Sequence, residues 1–340
     1  MIACLLKRPG EVVLEEVPRP NLKPGDVIVK MKACGICGTD LEKIRGELGP
    51  MGILGHEPSG IVEQAAPGAR NVEKGDRVVA HHHVPCYVCE FCLKGDYTMC
   101  DKFKETNLDP CGLADSFRVP EFNVARGALV KLPQQLSFEE GSMIEPTACC
   151  VRAVRAAQVK PTDNILMLGL GPTGLTQVQL LRQMTLGKIL VVDPISDRLK
   201  AGLRMGADEG IDATSQDVVK DVRKTTRLGP DIAFVSTGNE RALISALSAV
   251  RKGGKVVLFG APAQGATVNL DISALFSRQL SIISSYSCVE ADMKNAIDLV
   301  TTKQLDLTGL ITKKFPLTRA VEAMDYAQNS KTALKTLIVN

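Results

Sequence analysis

The sequence predicts an α/β fold in two parts: a compact, barrel-like β domain followed by a doubly wound, six-stranded parallel sheet. Three observations predict it. Short β-branched runs broken by Gly and Pro fill roughly the first 145 residues. Beyond them, continuous apolar runs alternate with helix-like stretches, the pattern of strands covered on both faces. The alternation stops after Tyr286, leaving two helical stretches and one strand-like run. For 340 residues, a prior of about 150 per domain also suggests two domains.

In chain order, Val27–Lys32, Ser59–Glu63 and Asp76–Ala80 read as strands bounded by turn signals such as Pro24-Gly25-Asp26 and Lys74-Gly75-Asp76. A helix is expected over Cys149–Val159, stopped by Pro161. The apolar runs Asn164–Leu168, Lys188–Val192, Asp231–Val235, Lys255–Phe259 and Leu280–Ser284, with a short one near Gly210-Ile211, supply about six parallel strands. The tail carries helices over Val289–Thr301 and Leu317–Gln328 and a strand-like Leu334–Val339 that can return to the first domain.

Composition narrows the function classes. Lys+Arg 41 against Asp+Glu 38 gives +3, too balanced for a dedicated nucleic-acid binder; aromatics are 4% and Trp is absent. No apolar run reaches the ~18 residues of a membrane span. Lys7, Arg8 and Pro9 stand where a secretory apolar core would continue, so a cytoplasmic protein is expected. Eleven cysteines, an odd number, argue for thiolate metal binding or burial over a disulfide framework.

Gly169-Leu170-Gly171-Pro172-Thr173-Gly174 follows an apolar strand and opens a helix, and Asp193 ends the next strand 19 residues after Gly174. Gly169 permits the tight turn, Gly171 lets a pyrophosphate reach the backbone, and Gly174 lets helix and strand pack closely. Pro172 sits where a missing N–H costs little, and the helix start beyond it, including Thr173, offers N–H donors to phosphate. Asp193 would accept from the adenosine ribose hydroxyls and repel a 2′-phosphate, favouring NAD over NADP; Arg198 could serve either cofactor.

Cys86, Cys89, Cys92 and Cys100 form a ladder with the spacing of a closed, structural zinc site. An iron–sulfur cluster would use the same four thiolates. Cys37, His56 and either Glu57 or Glu145 offer the three ligands of an open, catalytic zinc, with Asp40 to orient His56 and the Thr39 hydroxyl beside it. Cys34-Gly35-Ile36-Cys37 is also a C-x-x-C, but without the βαβ setting of a redox pair. His81-His82-His83, if on a strand, would point His82 away from its neighbours. His82 then stands either at a substrate or in surface packing. Cys4, Cys111, Cys149, Cys150 and Cys288 read as small core residues, and Arg152 and Arg155 as a solvated helix face or an anion contact.

Together the strings CGICGTD (34–40), GHEPSG (55–60), CYVCEFCLKGDYTMC (86–100), IEP (144–146) and GLGPTG (169–174) resemble the zinc-dependent medium-chain dehydrogenase/reductase superfamily over essentially the whole chain. The nearest look is to the sorbitol, threonine and galactitol-phosphate dehydrogenase group. The resemblance implies a GroES-like catalytic domain over 1–146 with a structural-zinc lobe at 86–100, a Rossmann domain over 147–286, and a return segment over 287–340. It implies two zinc ions per chain, with Cys37 and His56 as catalytic ligands and Glu57 and Glu145 ligating or approaching that zinc directly or through water. It further implies Thr39 as a proton relay, Asp193 and Arg198 at the adenosine ribose, and Lys335 at the pyrophosphate. A solvated strand-end lysine is the alternative for Lys335.

Two departures matter. The relay histidine of many relatives is missing, and Leu41, Glu42 and Lys43 occupy the nearby positions, so Glu42 or water would take the proton. Glu145 stands where many alcohol dehydrogenases carry Cys or Asp, which favours a multi-hydroxyl substrate. The expectation is therefore an NAD-linked oxidation of a secondary alcohol of a polyol or sugar derivative, at the cleft between domains, by a homodimer or homotetramer. A threonine-type or NADP-linked alcohol dehydrogenase, or a zinc-binding relative without activity, are the alternatives.

Overall fold

The computed structural model describes residues 1–47 and 54–340. The chain divides into two compact units, one of residues 1–148 with 287–340 and one of residues 149–286.

In the first unit a seven-stranded sheet runs in the order Ile311–Pro316, Lys335–Val339, Val27–Gly35, Glu57–Ala65, Arg77–Ala80, Leu129–Lys131, with Ser116–Val119 also pairing to Val27–Gly35. All its pairings are antiparallel except that of the first two strands. A separate ribbon pairs Ile2–Arg8 with Glu11–Glu16. Inward-facing Val27, Val29, Met31, Val62, Val78, Phe117, Phe315 and Ile338 build one apolar core, so the tail contributes to the same interior as the first residues. Strand Lys335–Val339 lies antiparallel to Val27–Gly35, with Leu337 opposite Gly35. That register brings the tail beside the residues expected to bind metal.

The second unit is a six-stranded, wholly parallel sheet in the order Glu209–Asp212, Ile189–Asp193, Ile165–Leu168, Ile232–Val235, Lys255–Leu258, Ser281–Ser284. Numbered along the chain this is 3-2-1-4-5-6, the doubly wound order in which a dinucleotide binds where the strand sequence reverses. The three central strands Ile189–Asp193, Ile165–Leu168 and Ile232–Val235 are buried along their whole length, which explains their continuous apolar character, while the edge strands Glu209–Asp212 and Ser281–Ser284 are more exposed. The six strands fall on the six runs expected from the sequence. A GroES-like domain and a parallel-sheet Rossmann domain are thus present.

Two local expectations need correction. The helix expected from Cys149 begins at Ile144 and runs to Ala157, which places Glu145 in its first turn. The strand carrying Val78 and Val79 ends at Ala80, so the three histidines after it do not alternate faces. The His82 ring instead lies 4.0 Å from that of His83 and 5.4 Å from that of His81.

Candidate functional site

Strand Val27–Gly35 delivers the chain to Cys37, which starts the helix Gly38–Arg45. Asp40, in the first turn of that helix, is fully buried. It accepts from the Cys37 N–H at 3.0 Å and the Gly55 N–H at 3.1 Å, and lies 3.4 Å from His56 Nδ1. One carboxylate thus ties together two segments that carry ligands. Burial works against a charge on His56, but the Asp40 carboxylate and then Cys37 outweigh it and raise its pKa well above the ordinary value. Burial would also raise Asp40, and His56 and the Cys37 N–H bring it below the usual carboxylate range instead. With Nδ1 on Asp40, Nε2 is left for a metal, the arrangement in which a carboxylate fixes the tautomer of a ligating imidazole.

Glu57 follows on strand Glu57–Ala65, opposite Gly35. It is fully buried; its Oε2 accepts from Lys335, while its Oε1 has no hydrogen-bond partner among the described residues. A buried carboxylate oxygen without a partner is costly. A cation held with Cys37 and His56 would satisfy it, because one ligand atom from each of Cys37, His56 and Glu57 lies within 4.8 Å of the others. The residues therefore fit a zinc ion with three protein ligands and an open position.

Lys335 is 3% exposed, so it is not a solvated strand-end lysine. Burial would lower its pKa, but Glu57 keeps it raised and charged. Gly35 makes room for this pair: a Cβ there would collide with Glu57 Oε2 and crowd the Lys335 Cε. The sequence carried no sign of Gly35's role beyond its place in the C-x-x-C string. Thr39 is half-buried two residues from Cys37. Glu42, three residues further on the same helix face, has one buried oxygen without a partner among the described residues, and burial raises its pKa.

Glu145 is not placed with Cys37 and His56. Its carboxylate groups with His81 and Cys288. Cys288 is buried as expected, but it faces these polar groups and is not simply a core residue. The His82 ring lies 4.9 Å from that of His56, so the histidine run does reach the metal-binding group.

The thiolate ladder forms a second cluster. Cys86 and Cys92 sulfurs are 3.9 Å apart and Cys89 and Cys92 sulfurs 3.5 Å. Four thiolates around zinc at ~2.3 Å have edges of about 3.8 Å. Backbone N–H groups of Val88 and Cys89 donate to the Cys86 sulfur and that of Cys86 to the Cys100 sulfur, the donors a thiolate accepts. The ladder fits a closed zinc site. Among the described residues, Phe103, Val289 and Tyr97 back it with apolar side chains, so the lobe has little core of its own.

In the second unit Gly169 has φ +91°, a left-handed conformation that glycine adopts without strain. A Cβ on Gly174 would collide with the Gly169 carbonyl oxygen, so strand and helix touch at backbone distance. Gly171 faces open space and caps the helix Pro172–Met184, whose first N–H groups receive no side-chain cap. Pro172, Thr173 and Gly174 form its first turn. The cradle fits a phosphate. Asp193, buried at the end of its strand, accepts from the Leu170 N–H at 2.8 Å and the Ile195 N–H at 2.9 Å, which fixes it against the turn. Arg198 lies on the following helix, Ser196–Arg204.

Two family models match the chain: an alcohol dehydrogenase GroES-like domain over residues 23–134 and a zinc-binding dehydrogenase over residues 172–302. Sorbitol dehydrogenase of Bacillus subtilis is 29% identical over 347 residues, covering 99% of this chain and 97% of that protein. Sorbitol dehydrogenase of Rattus norvegicus is 30% identical, covering 99% and 95%. A zinc-binding dehydrogenase from Sinorhizobium meliloti, solved bound to NADP, superposes with a TM-score of 0.90 at 25% identity, covering 100% and 99%.

Proposed function

This chain belongs to the zinc-dependent medium-chain dehydrogenase/reductase superfamily, in its polyol dehydrogenase group, and on that premise we propose that it oxidises a secondary alcohol of a polyol or sugar derivative to a ketone with NAD⁺. The observation that carries the reading is the buried Cys37–His56–Glu57 group, with Asp40 orienting His56 and one Glu57 oxygen lacking any other partner among the described residues.

When bound, zinc supplies Lewis acidity toward a substrate hydroxyl and the nicotinamide supplies the hydride acceptor. Cys37, His56 and Glu57 hold the ion. Asp40 keeps His56 in the tautomer that presents Nε2. Thr39 would accept the hydroxyl proton on its Oγ1 while giving up its own hydroxyl proton, to Glu42 on the same helix face or to water, in place of the relay histidine of other family members. Lys335 holds Glu57 across the intervening strand Val27–Gly35, where Gly35 leaves room for the pair, and is not assigned to the pyrophosphate. Glu145 is left out of this ligand set because its carboxylate stands with His81 and Cys288. The Cys86–Cys100 ladder holds a second zinc with no open position, a staple for the lobe.

Gly169, Gly171, Pro172, Thr173 and Gly174 take the pyrophosphate at a helix start, and Asp193 with Arg198 takes the adenosine ribose. The Asp193 carboxylate favours NAD, while the NADP-bound relative keeps the NADP-linked reading as the second one. Strand Ser281–Ser284 is the edge of its sheet, and Ile272 and Phe276 on the helix that precedes it in the chain are 74% and 84% exposed. A second copy of the chain pairing along that edge gives a homodimer. None of the eleven cysteines is in a disulfide, which suits a reducing compartment such as the cytoplasm. No helix among the described residues is long and apolar enough to cross a membrane.

The test is a panel of polyols, sugar acids, inositols and amino alcohols with NAD⁺ and NADP⁺, followed by nicotinamide absorbance. Turnover on a polyol with NAD⁺, lost at least 1,000-fold (about 4 kcal/mol) in Cys37→Ala with folding retained, supports the reading. No turnover on any of them, with metal only in the thiolate ladder, points to a zinc-binding relative without activity.

A further inference from the structure

Gln177 is a polar side chain in an apolar place. It lies on the helix Pro172–Met184, one turn beyond Gly174 on the same face, and is 0% exposed. Leu175, Val178 and Leu181 around it are buried and apolar. The Ser236 hydroxyl donates to its Oε1, while its Nε2 is buried with no hydrogen-bond partner among the described residues. Turning the amide over exchanges the two atoms and leaves the same balance, one satisfied and one not. A half-satisfied buried amide costs stability that an apolar side chain of the same length would not. Packing therefore gives no reason for a glutamine here. The bond to Ser236 does: it ties the helix to the end of the strand Ile232–Val235.

That bond falls where three turns of the second unit meet. Ser236 donates its N–H to the Leu168 carbonyl at 2.8 Å, beside the glycine turn. A Cβ on Gly169 would lie 3.0 Å from the Ser236 carbonyl oxygen and 3.1 Å from the Thr237 Cβ. A Cβ on Gly260 would run into the Thr237 backbone, and one on Gly238 into the Ala261 carbonyl oxygen. The turns after Ile165–Leu168, Ile232–Val235 and Lys255–Leu258 thus pack backbone to backbone, and Ser236–Thr237 is the middle one. Ser236 and Thr237 are half-buried and Gly238 is exposed, so a ligand can reach this turn but cannot reach Gln177 behind it. With the pyrophosphate on the glycine turn and the adenosine ribose at Asp193, the other half of a dinucleotide extends the opposite way, over the turns after Val235 and Leu258. We propose that Gln177 is a positioning residue for the nicotinamide half of the cofactor: through Ser236 it pins the turn Ser236–Gly238 against the glycine turn, without touching the cofactor itself. This rests on the dinucleotide site proposed above.

The test is nucleotide binding by the full chain with no substrate present. Calorimetry gives Kd for whichever of NADH and NADPH binds tighter, and for ADP, which carries adenosine and pyrophosphate but no nicotinamide. Gln177→Met keeps the side-chain length and removes the amide. It should weaken the reduced dinucleotide about tenfold, leave ADP unchanged, and leave the urea midpoint unchanged or raised. Ser236→Ala removes the other end of the same bond, and it serves as the second variant if Gln177→Met fails to fold. It should give the same selective loss but lower the urea midpoint, because both amide atoms are then unpaired. The two variants thus move stability in different directions and dinucleotide binding in the same one, a pattern that general loosening does not give. The double variant should bind the dinucleotide no more weakly than either single one. Equal weakening of the dinucleotide and ADP, no weakening of either, or losses that multiply in the double variant overturns the positioning role and leaves Gln177 as a packing residue. A wild-type chain that binds neither NADH nor NADPH overturns the cofactor reading and this role together, whereas dinucleotide binding that the variants leave intact overturns this role alone.

Discussion

Asp193 shows how much a single carboxylate can decide. Both of its oxygens accept backbone N–H groups, one from the glycine turn and one from the chain beyond the strand, so it cannot swing away from a ribose presented there. Removing it in Asp193→Gly takes away both the ribose acceptor and the charge that repels a 2′-phosphate. The expected outcome is a KM for NAD⁺ raised about tenfold, near 1.4 kcal/mol, with NADP⁺ improved relative to it. Steady-state kinetics with both cofactors measures this, and an unchanged ratio would refute the ribose role. Asp193 was legible in the sequence because an acid at a fixed distance after a glycine turn is a local pattern. The Lys335–Glu57 pair was not, because its partners are 278 positions apart and only the registers of their two strands on either side of Val27–Gly35 join them. Glu145 was visible as a ligand type, yet nothing local could say that Cys288 and His81 would surround it.

Among the elements, the thiolate lobe is the one least able to stand by itself. Its spacing was readable because four cysteines in a polar loop have no core to justify them, and the structure backs them with three apolar side chains. Cys92→Ser should therefore act on stability first. A loss of more than about 2 kcal/mol is expected, with turnover per folded molecule largely kept. Chemical denaturation alongside rates normalised to folded protein checks this; intact stability with lost turnover would exchange the roles of the two zinc sites. The strand before the histidine run stops at Ala80, where the sequence placed its end, and the three rings that follow gather together, which no periodicity could show.

For the molecule as a whole, pH and assembly are the accessible handles. Burial, more than any neighbouring charge, pushes the thiols of Cys4 and Cys111 up to about 12 from 9.0. Unfolded thiols would ionise first, so the stability these groups contribute is complete below pH 9 and is lost progressively from 9 toward 12. Urea midpoints should fall over that range, and the fall should be shallower in the Cys4→Ala/Cys111→Ala double variant. If the proposed pairing along the sheet edge at Ser281–Ser284 forms the dimer, Ile282→Lys should shift sedimentation toward monomer while leaving the monomer folded. The two-part α/β architecture was readable because each sheet type writes its own periodicity. The interleaving of the tail with the first residues was readable only as a possibility, since strand pairing across the whole chain leaves no local mark.

The lysine that neutralises Glu57 lies 278 positions after it, beyond the whole second unit. During synthesis, the nascent first unit must wait with that acid uncompensated until the second unit has been made. A truncation ahead of Lys335 would silence the enzyme by leaving its oldest segment unfinished.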